Sequence, residues 1–90
     1  MKKFDPSLYF ITDSTGYNEE DFLYRVEQAL KGGVTLLQLR EKNKSTREYI
    51  RLAEKVHAIA KRYNVPLIID DRVDVALAID AEGVHVGKED

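Results

Sequence analysis

Short apolar runs alternate with amphipathic stretches along the chain. Leu8–Thr12 and Val34–Arg40 are rich in aromatic, aliphatic and β-branched residues, which is typical of strands. A third run begins at Pro66, and Gly83–Gly87 forms a fourth. Between these runs, apolar residues recur at helical spacing. The pattern therefore predicts four strands and three helices in the order β-α-β-α-β-α-β.

The predicted helices carry recognisable start and stop signals. Asn18 precedes three acidic residues and is placed to cap the first helix, which two consecutive glycines end. Ser45 and Glu48 form a capping-box pattern at the start of the longest helix, about Thr46–Tyr63. The expected apolar stripe of this helix is Ile50, Ala53, Val56, Ala60 and Tyr63, with Leu52 and Ile59 beside it. Val73–Ile79 has the spacing of a short third helix. Helical crossovers between sequential strands imply a parallel sheet with right-handed connections.

Polar residues gather where each predicted strand ends. In order along the chain, these are Asp13; Gln38, Arg40 and Lys42; Asp70 and Asp71; and Glu89 and Asp90. In parallel βα architectures, ligands bind at the carboxyl ends of the strands. The shared position favours a ligand site over an ordinary charged surface.

The stretch Thr35–Lys42 begins as a buried strand and ends in charge. Strand alternation places Gln38 and Arg40 on one face, with Lys42 continuing that row. Burying a guanidinium without a partner is costly, so we expect Arg40 at the mouth of a site where an anion can meet it. Arginine and lysine suit a phosphate group. The alternative is a strand running into solvent, with both cations as surface charges.

The polar residues at the strand ends also suggest a metal ion and a class of reaction. Asp71 and Asp90 offer hard oxygen ligands that, with phosphate oxygens, suit Mg²⁺; a salt-bridge network without metal is the alternative. Gln38 can form hydrogen bonds with an amide or amine group of an organic substrate. His57 is expected within the longest helix, at the boundary between its apolar and its solvent-facing side, and His85 in the core, neither as a catalytic base. The best reaction class is Mg²⁺-assisted departure of diphosphate, with cations stabilising the leaving charge.

Composition narrows the class of protein. The chain has 90 residues, which suits one small domain, and a formal net charge of −2, so no basic excess points to nucleic acid or a membrane surface. No apolar run approaches the roughly 18 residues of a membrane span or follows the N-terminal lysines as in a signal peptide. The absence of cysteine excludes thiol chemistry and fits a cytoplasmic protein.

Three motifs together resemble one enzyme family. Thr35–Lys42 (TLLQLREK), Pro66–Val75 (PLIIDDRVDV) and Gly83–Asp90 (GVHVGKED) are similar, in order and spacing, to thiamine phosphate synthases. The opening LYFITD resembles that family's first strand. The resemblance implies a TIM (β/α)₈ barrel that joins hydroxymethylpyrimidine diphosphate to hydroxyethylthiazole phosphate. The products are thiamine phosphate and diphosphate.

The resemblance also implies roles for individual residues. Gln38, Arg40, Lys42 and Asp70 would bind the pyrimidine diphosphate, Arg40 and Lys42 would act in catalysis, and Asp71 and Asp90 would hold Mg²⁺. The implied mechanism is dissociative: diphosphate leaves, a pyrimidine methylene cation forms, and the thiazole nitrogen captures it. No enzyme nucleophile is needed.

Two positions depart from the family's usual pattern. Asp70 stands where the family usually has asparagine, which predicts weaker diphosphate contact by repulsion unless the carboxyl is protonated or paired with Arg72. Lys88 stands in place of a common glutamine and adds positive charge near the expected metal.

Length is the larger departure, because a (β/α)₈ barrel needs roughly 200 residues or more. We expect residues 1–90 to be one partial domain, β1 to β4 of the barrel, inactive alone in the full reaction. An open half-barrel leaves strand edges unpaired, which favours a truncated chain or association with a second copy. The alternatives are a non-catalytic half-barrel assembly unit and a thiazole tautomerase relative, although Asp71 and Asp90 argue against the latter.

Overall fold

Strands and helices alternate along the whole described part of the chain. The computed structural model describes residues 8–42, 44–70 and 72–85. The elements are β1 (Tyr9–Thr12), α1 (Glu19–Lys31), β2 (Leu36–Leu39), α2 (Thr46–Arg62), β3 (Leu67–Asp70), α3 (Val73–Ile79) and β4 (Gly83–His85). The strands form one parallel sheet in the order β1-β2-β3-β4. The α/β class and the order of elements predicted from the sequence are confirmed.

The caps of the two longer helices are those that the sequence predicted. The Asn18 side chain accepts a hydrogen bond from the Asp21 amide at 2.8 Å. In the capping box, the Glu48 amide donates to Ser45 Oγ at 3.2 Å and the Ser45 amide donates to Glu48 Oε1 at 3.1 Å. Gly33 has a φ of +107°, which explains why glycine follows the end of α1. Local side-chain chemistry therefore defines where these helices begin and end.

The hydrophobic core lies between the helices and one face of the sheet. Register pairs Leu37 with Leu67 and Leu39 with Ile69, and all four side chains are fully buried. The helices cover them with buried residues from three elements: Phe22, Val26 and Leu30; Tyr49, Leu52, Ala53, Val56 and Ala60; and Val75, Ala76 and Ile79. Tyr49, which the expected apolar stripe of α2 omitted, is completely buried, whereas the expected Ile50 and Tyr63 are only half-buried.

An open groove lies at the β1 side of the sheet. Phe10 and Thr12 of β1 form, with the free side of α1, a groove of about 680 Å³. Tyr24 projects beside it, and the guanidinium of Arg25 lies 4.6 Å from the ring centre of Tyr17. On the opposite face of β1, Tyr9 and Ile11 are about half exposed. None of the described helices is long and apolar enough to cross a membrane.

His57 lies deeper than the boundary position that the sequence predicted. Its ring is only 7% exposed, and Nε2 lies 3.1 Å from a carboxylate oxygen of Glu82. That carboxylate also accepts a hydrogen bond from the Leu67 amide at 2.8 Å. The pair thus joins α2 to the beginnings of β3 and β4, which explains how a polar ring is tolerated inside the fold.

The Glu82 carboxylate should make stability depend on pH. Burial by itself would raise its pKa, but hydrogen bonds from Leu67 and His57 outweigh burial and leave the pKa below its ordinary value of 4.5. A lowered folded-state pKa adds stability that is present above pH 4.5 and disappears as the pH falls through the lowered pKa. In urea unfolding at several pH values, the free energy of unfolding should therefore fall less steeply towards acid pH for Glu82→Gln than for the wild type. The exposed Glu54→Gln control should keep the wild-type slope, and equal slopes for all three chains would contradict this role for Glu82.

Candidate functional site

The carboxyl ends of β2 and β3 enclose a charged cleft. It has a volume of about 410 Å³ and is lined by Arg40, Glu41, Lys42, Asp70 and Arg72. Because β2 and β3 are parallel neighbours, their carboxyl ends lie at the same edge of the sheet. This geometry brings together three of the site residues predicted from the sequence: Arg40, Lys42 and Asp70.

Arg40 combines a fixed backbone with an accessible guanidinium. Its amide donates to the Thr12 carbonyl at 2.9 Å, which extends the β1–β2 ladder by one residue. Its side chain is 46% exposed, and Nε lies 3.6 Å from Asp70 Oδ2. This separation exceeds the roughly 2.7–2.9 Å of a charge-assisted hydrogen bond, so the ion pair is a loose one. The guanidinium can therefore engage an anion that enters the cleft.

Glu41 lies between the two cations in sequence, but its side chain is held by the β1–α1 loop. Its carboxylate accepts hydrogen bonds from the Ser14 amide at 2.6 Å and from Ser14 Oγ at 2.9 Å. Ser14 belongs to the β1–α1 loop and is only 8% exposed. The sequence analysis missed this contact, because no local pattern relates a serine to a glutamate 27 positions later.

Tyr49 supports the cleft from the helical layer. Its hydroxyl donates to the Leu39 carbonyl at 3.0 Å and also lies 3.4 Å from the Asp70 carbonyl. Burial raises the pKa of Tyr49 to about 12, so the hydroxyl keeps its proton at neutral pH. One buried side chain thus joins the carboxyl ends of β2 and β3.

Arg72 also lines the cleft, but its side chain is engaged by other groups. It donates to Asp74 through Nε at 3.0 Å and through Nη2 at 2.9 Å, and Nη2 also donates to Thr46 Oγ1 at 2.6 Å. The guanidinium lies 5.7 Å from the ring centre of Tyr49. The alternative in which Arg72 pairs with Asp70 is not what the structure shows: Arg72 pairs with Asp74, and Asp70 pairs with Arg40. Arg72 ties α3 to the beginning of α2.

Gln38 lies within the sheet, two residues before Arg40, and does not line the cleft. It is 3% exposed, and its Nε2 donates to the hydroxyl of Tyr9 on β1. Alternation along the strand puts Gln38 and Arg40 on the same face, about 7 Å apart. The substrate-binding role expected for Gln38 stays a prediction.

The two expected metal ligands, Asp71 and Asp90, lie outside the described residues. Lys88 lies outside them as well. Within the described ranges, no group of three or more histidine, aspartate or glutamate residues is arranged to hold a metal ion. The cleft has two carboxylates among the described residues: Glu41, whose oxygens both accept hydrogen bonds from Ser14, and Asp70, which pairs with Arg40.

A parallel βα sheet with a cationic cleft at its carboxyl edge defines a class of protein. It is the arrangement of βα-barrel enzymes that bind phosphorylated substrates at the carboxyl ends of their strands. Residues 8–90 match the family model described as thiamine monophosphate synthase. The chain belongs to this family.

Relatives and a solved structure agree with that assignment. The chain is 56% identical over 90 residues to a thiamine-phosphate synthase of Caldanaerobacter subterraneus and 54% identical over 90 residues to one of Methanobrevibacter smithii. It is similar to the thiamine phosphate pyrophosphorylase structure from Pyrococcus furiosus, with 43% identity and a TM-score of 0.81 over 92% of this chain. The chain covers 42% and 43% of the two relatives and 40% of the solved chain. Its fold is thus that of consecutive βα units of a (β/α)₈ barrel.

Proposed function

We propose that this chain supplies the diphosphate-binding part of a thiamine-phosphate synthase. The reaction joins hydroxymethylpyrimidine diphosphate to hydroxyethylthiazole phosphate and releases diphosphate. One observation carries the proposal: Arg40 and Lys42, with Asp70, line a single cleft at the carboxyl ends of neighbouring parallel strands. Family membership and the identity of the relatives support the same activity.

In this proposal the two cations that follow β2, Arg40 and Lys42, stabilise the leaving group. When the bond between the pyrimidine methylene carbon and the diphosphate oxygen breaks, negative charge builds up on the diphosphate. Arg40 presents a planar fork of donors to two of its oxygens, and Lys42 adds a point charge. Because these groups lie where the charge develops, they favour bond cleavage more than substrate binding alone. The thiazole nitrogen then captures the carbocation.

Mg²⁺ is the cofactor of the proposed site, held by Asp71 and Asp90. Asp71 directly follows Asp70, a residue of the cleft, so chain continuity supports a carboxylate ligand near this edge of the sheet. When bound, the ion would neutralise charge on the diphosphate oxygens. The described residues contribute Arg40 and Lys42, whose charges act on the same oxygens.

The full reaction requires the part of the barrel that this chain does not cover. The groove beside α1 and the half-exposed face of β1 are where a closing (β/α)₈ barrel would bring its last helix and strands. We therefore propose that residues 1–90 act as one partial domain that is inactive by itself in the complete condensation. A homo-oligomer and a cytoplasmic location are further parts of this proposal.

Titration calorimetry of the chain with hydroxymethylpyrimidine diphosphate, with and without Mg²⁺, tests the proposed function. We expect binding that requires Mg²⁺ and that weakens about fivefold to tenfold in Lys42→Ala, since a charge-assisted contact is worth roughly 1–1.5 kcal/mol in a half-exposed site. The matched control is Lys61→Ala, which removes an exposed lysine at the far end of α2 and should leave the affinity unchanged. Absence of heat at saturating Mg²⁺ would overturn the proposal for this chain. A stable dimer in light scattering would then favour an assembly unit.

A further inference from the structure

The end of β2 carries three consecutive charges that the fold separates. Arg40 reaches towards β3, where Nε lies 3.6 Å from Asp70, whereas Glu41 reaches towards β1, where Ser14 binds both of its oxygens. Because β2 lies between β1 and β3, these two contacts are on opposite sides of the strand. Glu41 also lines the cleft, but Ser14 binds both of its carboxylate oxygens on the β1 side of the strand, away from the contact between Arg40 and Asp70.

Ser14 makes this contact a firm one. Its carbonyl accepts a hydrogen bond from the Tyr17 amide at 3.0 Å, which closes the turn that leads to α1. Its amide and hydroxyl both donate to Glu41, and its side chain is almost fully buried. Removing the carboxylate would leave two donors of a buried residue without their acceptor. The Glu41–Ser14 contact therefore couples the β1–α1 loop to the backbone that carries Arg40 and Lys42.

We propose that Glu41 is a positioning residue for the diphosphate site: by binding Ser14, it orients Arg40 and Lys42 towards the anion and holds its own charge aside. This inference rests on the proposed function, because it assumes that the cleft takes a diphosphate. Glu41 does not touch the substrate in this arrangement and acts through its two neighbours.

The direction in which Glu41→Ala changes the affinity for an anion separates this role from simple electrostatic repulsion. If Glu41 acted only as a negative charge near the anion, Glu41→Ala would tighten anion binding. If Glu41 positions the cations, Glu41→Ala weakens binding although a repulsive charge has been removed. With inorganic diphosphate and Mg²⁺ as the probe, we expect calorimetry to show affinity about fivefold to fiftyfold weaker, the equivalent of one to two lost hydrogen bonds.

Two further variants keep the test independent of charge and of folding. Ser14→Ala leaves the net charge unchanged and should also weaken binding, by about threefold to tenfold, since one of the two hydrogen bonds is lost. Glu41→Gln keeps one oxygen acceptor and should fall between the wild type and Glu41→Ala. The charge-matched control is Glu54→Ala on the exposed face of α2, which should bind as the wild type does. Circular dichroism identifies the temperature at which each variant is folded, and a loss of stability alone leaves the affinity of the folded chain unchanged.

The outcomes distinguish the two proposals. A wild-type chain that binds no diphosphate overturns the proposed function, and Glu41 then has no anion site to position. Wild-type binding together with equal or tighter binding by Glu41→Ala overturns the Glu41 proposal alone. If Glu41→Ala does not fold, Ser14→Ala decides: weaker binding supports the proposal, and unchanged binding overturns it.

Discussion

Arg40→Ala should weaken Mg²⁺-dependent binding of hydroxymethylpyrimidine diphosphate by roughly tenfold to a hundredfold. Hydrogen bonds to charged groups contribute about 1.5–3 kcal/mol, and each 1.4 kcal/mol changes the dissociation constant tenfold. The substitution also removes the counter-charge that lies 3.6 Å from the Asp70 carboxylate, so Asp70 then repels the incoming anion more strongly. Titration calorimetry of the folded chain measures the effect.

Two companion variants identify the property of Arg40 that matters. Arg40→Lys keeps the charge but loses the planar fork, so its affinity should lie between those of the wild type and the alanine variant. Arg51→Ala removes an arginine from the exposed side of α2 and should leave binding unchanged. Equal affinities for Arg40→Ala and Arg51→Ala would show that the cleft is not the diphosphate site.

Tyr49→Ala should unfold much of the chain or reduce its free energy of unfolding by about 3–5 kcal/mol, the usual effect of removing a large buried aromatic side chain. Domains of this size are stable by only about 5–15 kcal/mol, so this is a large part of the total. Tyr49 is completely buried, and its hydroxyl joins the Leu39 and Asp70 carbonyls at the carboxyl ends of two strands. Urea unfolding followed by circular dichroism gives the free energies.

Tyr49→Phe isolates the contribution of the hydroxyl. We expect a loss of about 1–3 kcal/mol, because the buried Leu39 carbonyl loses its hydrogen bond from the hydroxyl and cannot turn to water. The control is Tyr24→Phe, since Tyr24 is 64% exposed and surface substitutions usually change stability by less than about 0.5 kcal/mol. If Tyr49→Phe were as stable as Tyr24→Phe, the hydroxyl would not support the strand ends.

Much of the fold could be predicted because its signals are local. The Ser45–Glu48 box, the Asn18 cap and the glycines after α1 each act within a few residues of the helix end that they define. Strand and helix periods then implied parallel strands, and parallel strands implied that Arg40, Lys42 and Asp70 would share an edge. The expected apolar stripe of α2 is confirmed at Ala53, Val56 and Ala60, but it omitted Tyr49, which is buried, and included Ile50, which is only partly buried. A tyrosine hydroxyl is buried at low cost only where it finds a hydrogen-bond acceptor. For Tyr49 the acceptors are carbonyls of β2 and β3, which the sequence of α2 does not reveal.

In the candidate site, too, local signals predicted some features and long-range contacts decided the others. Residue types and their alternation along β2 predicted where Arg40 and Lys42 would lie, whereas the partners of the neighbouring charges depended on long-range contacts. In the sequence, Glu41 looks like an ordinary surface charge. In the structure, it binds Ser14, which lies 27 positions earlier in the chain. Arg72 pairs locally with Asp74, but it also donates to Thr46, 26 positions earlier, which only the packing of α2 against α3 brings within reach.

The amino-acid sequence alone determined the order of elements, the parallel direction of the sheet and the edge at which the charges meet, since each depends on spacing over a few residues. Only the tertiary structure decided which neighbour each charge in the cleft contacts. The reason is physical: ion pairs and hydrogen bonds form between groups that are close in space, and partners such as Ser14 and Glu41, 27 positions apart, become neighbours only when the chain folds.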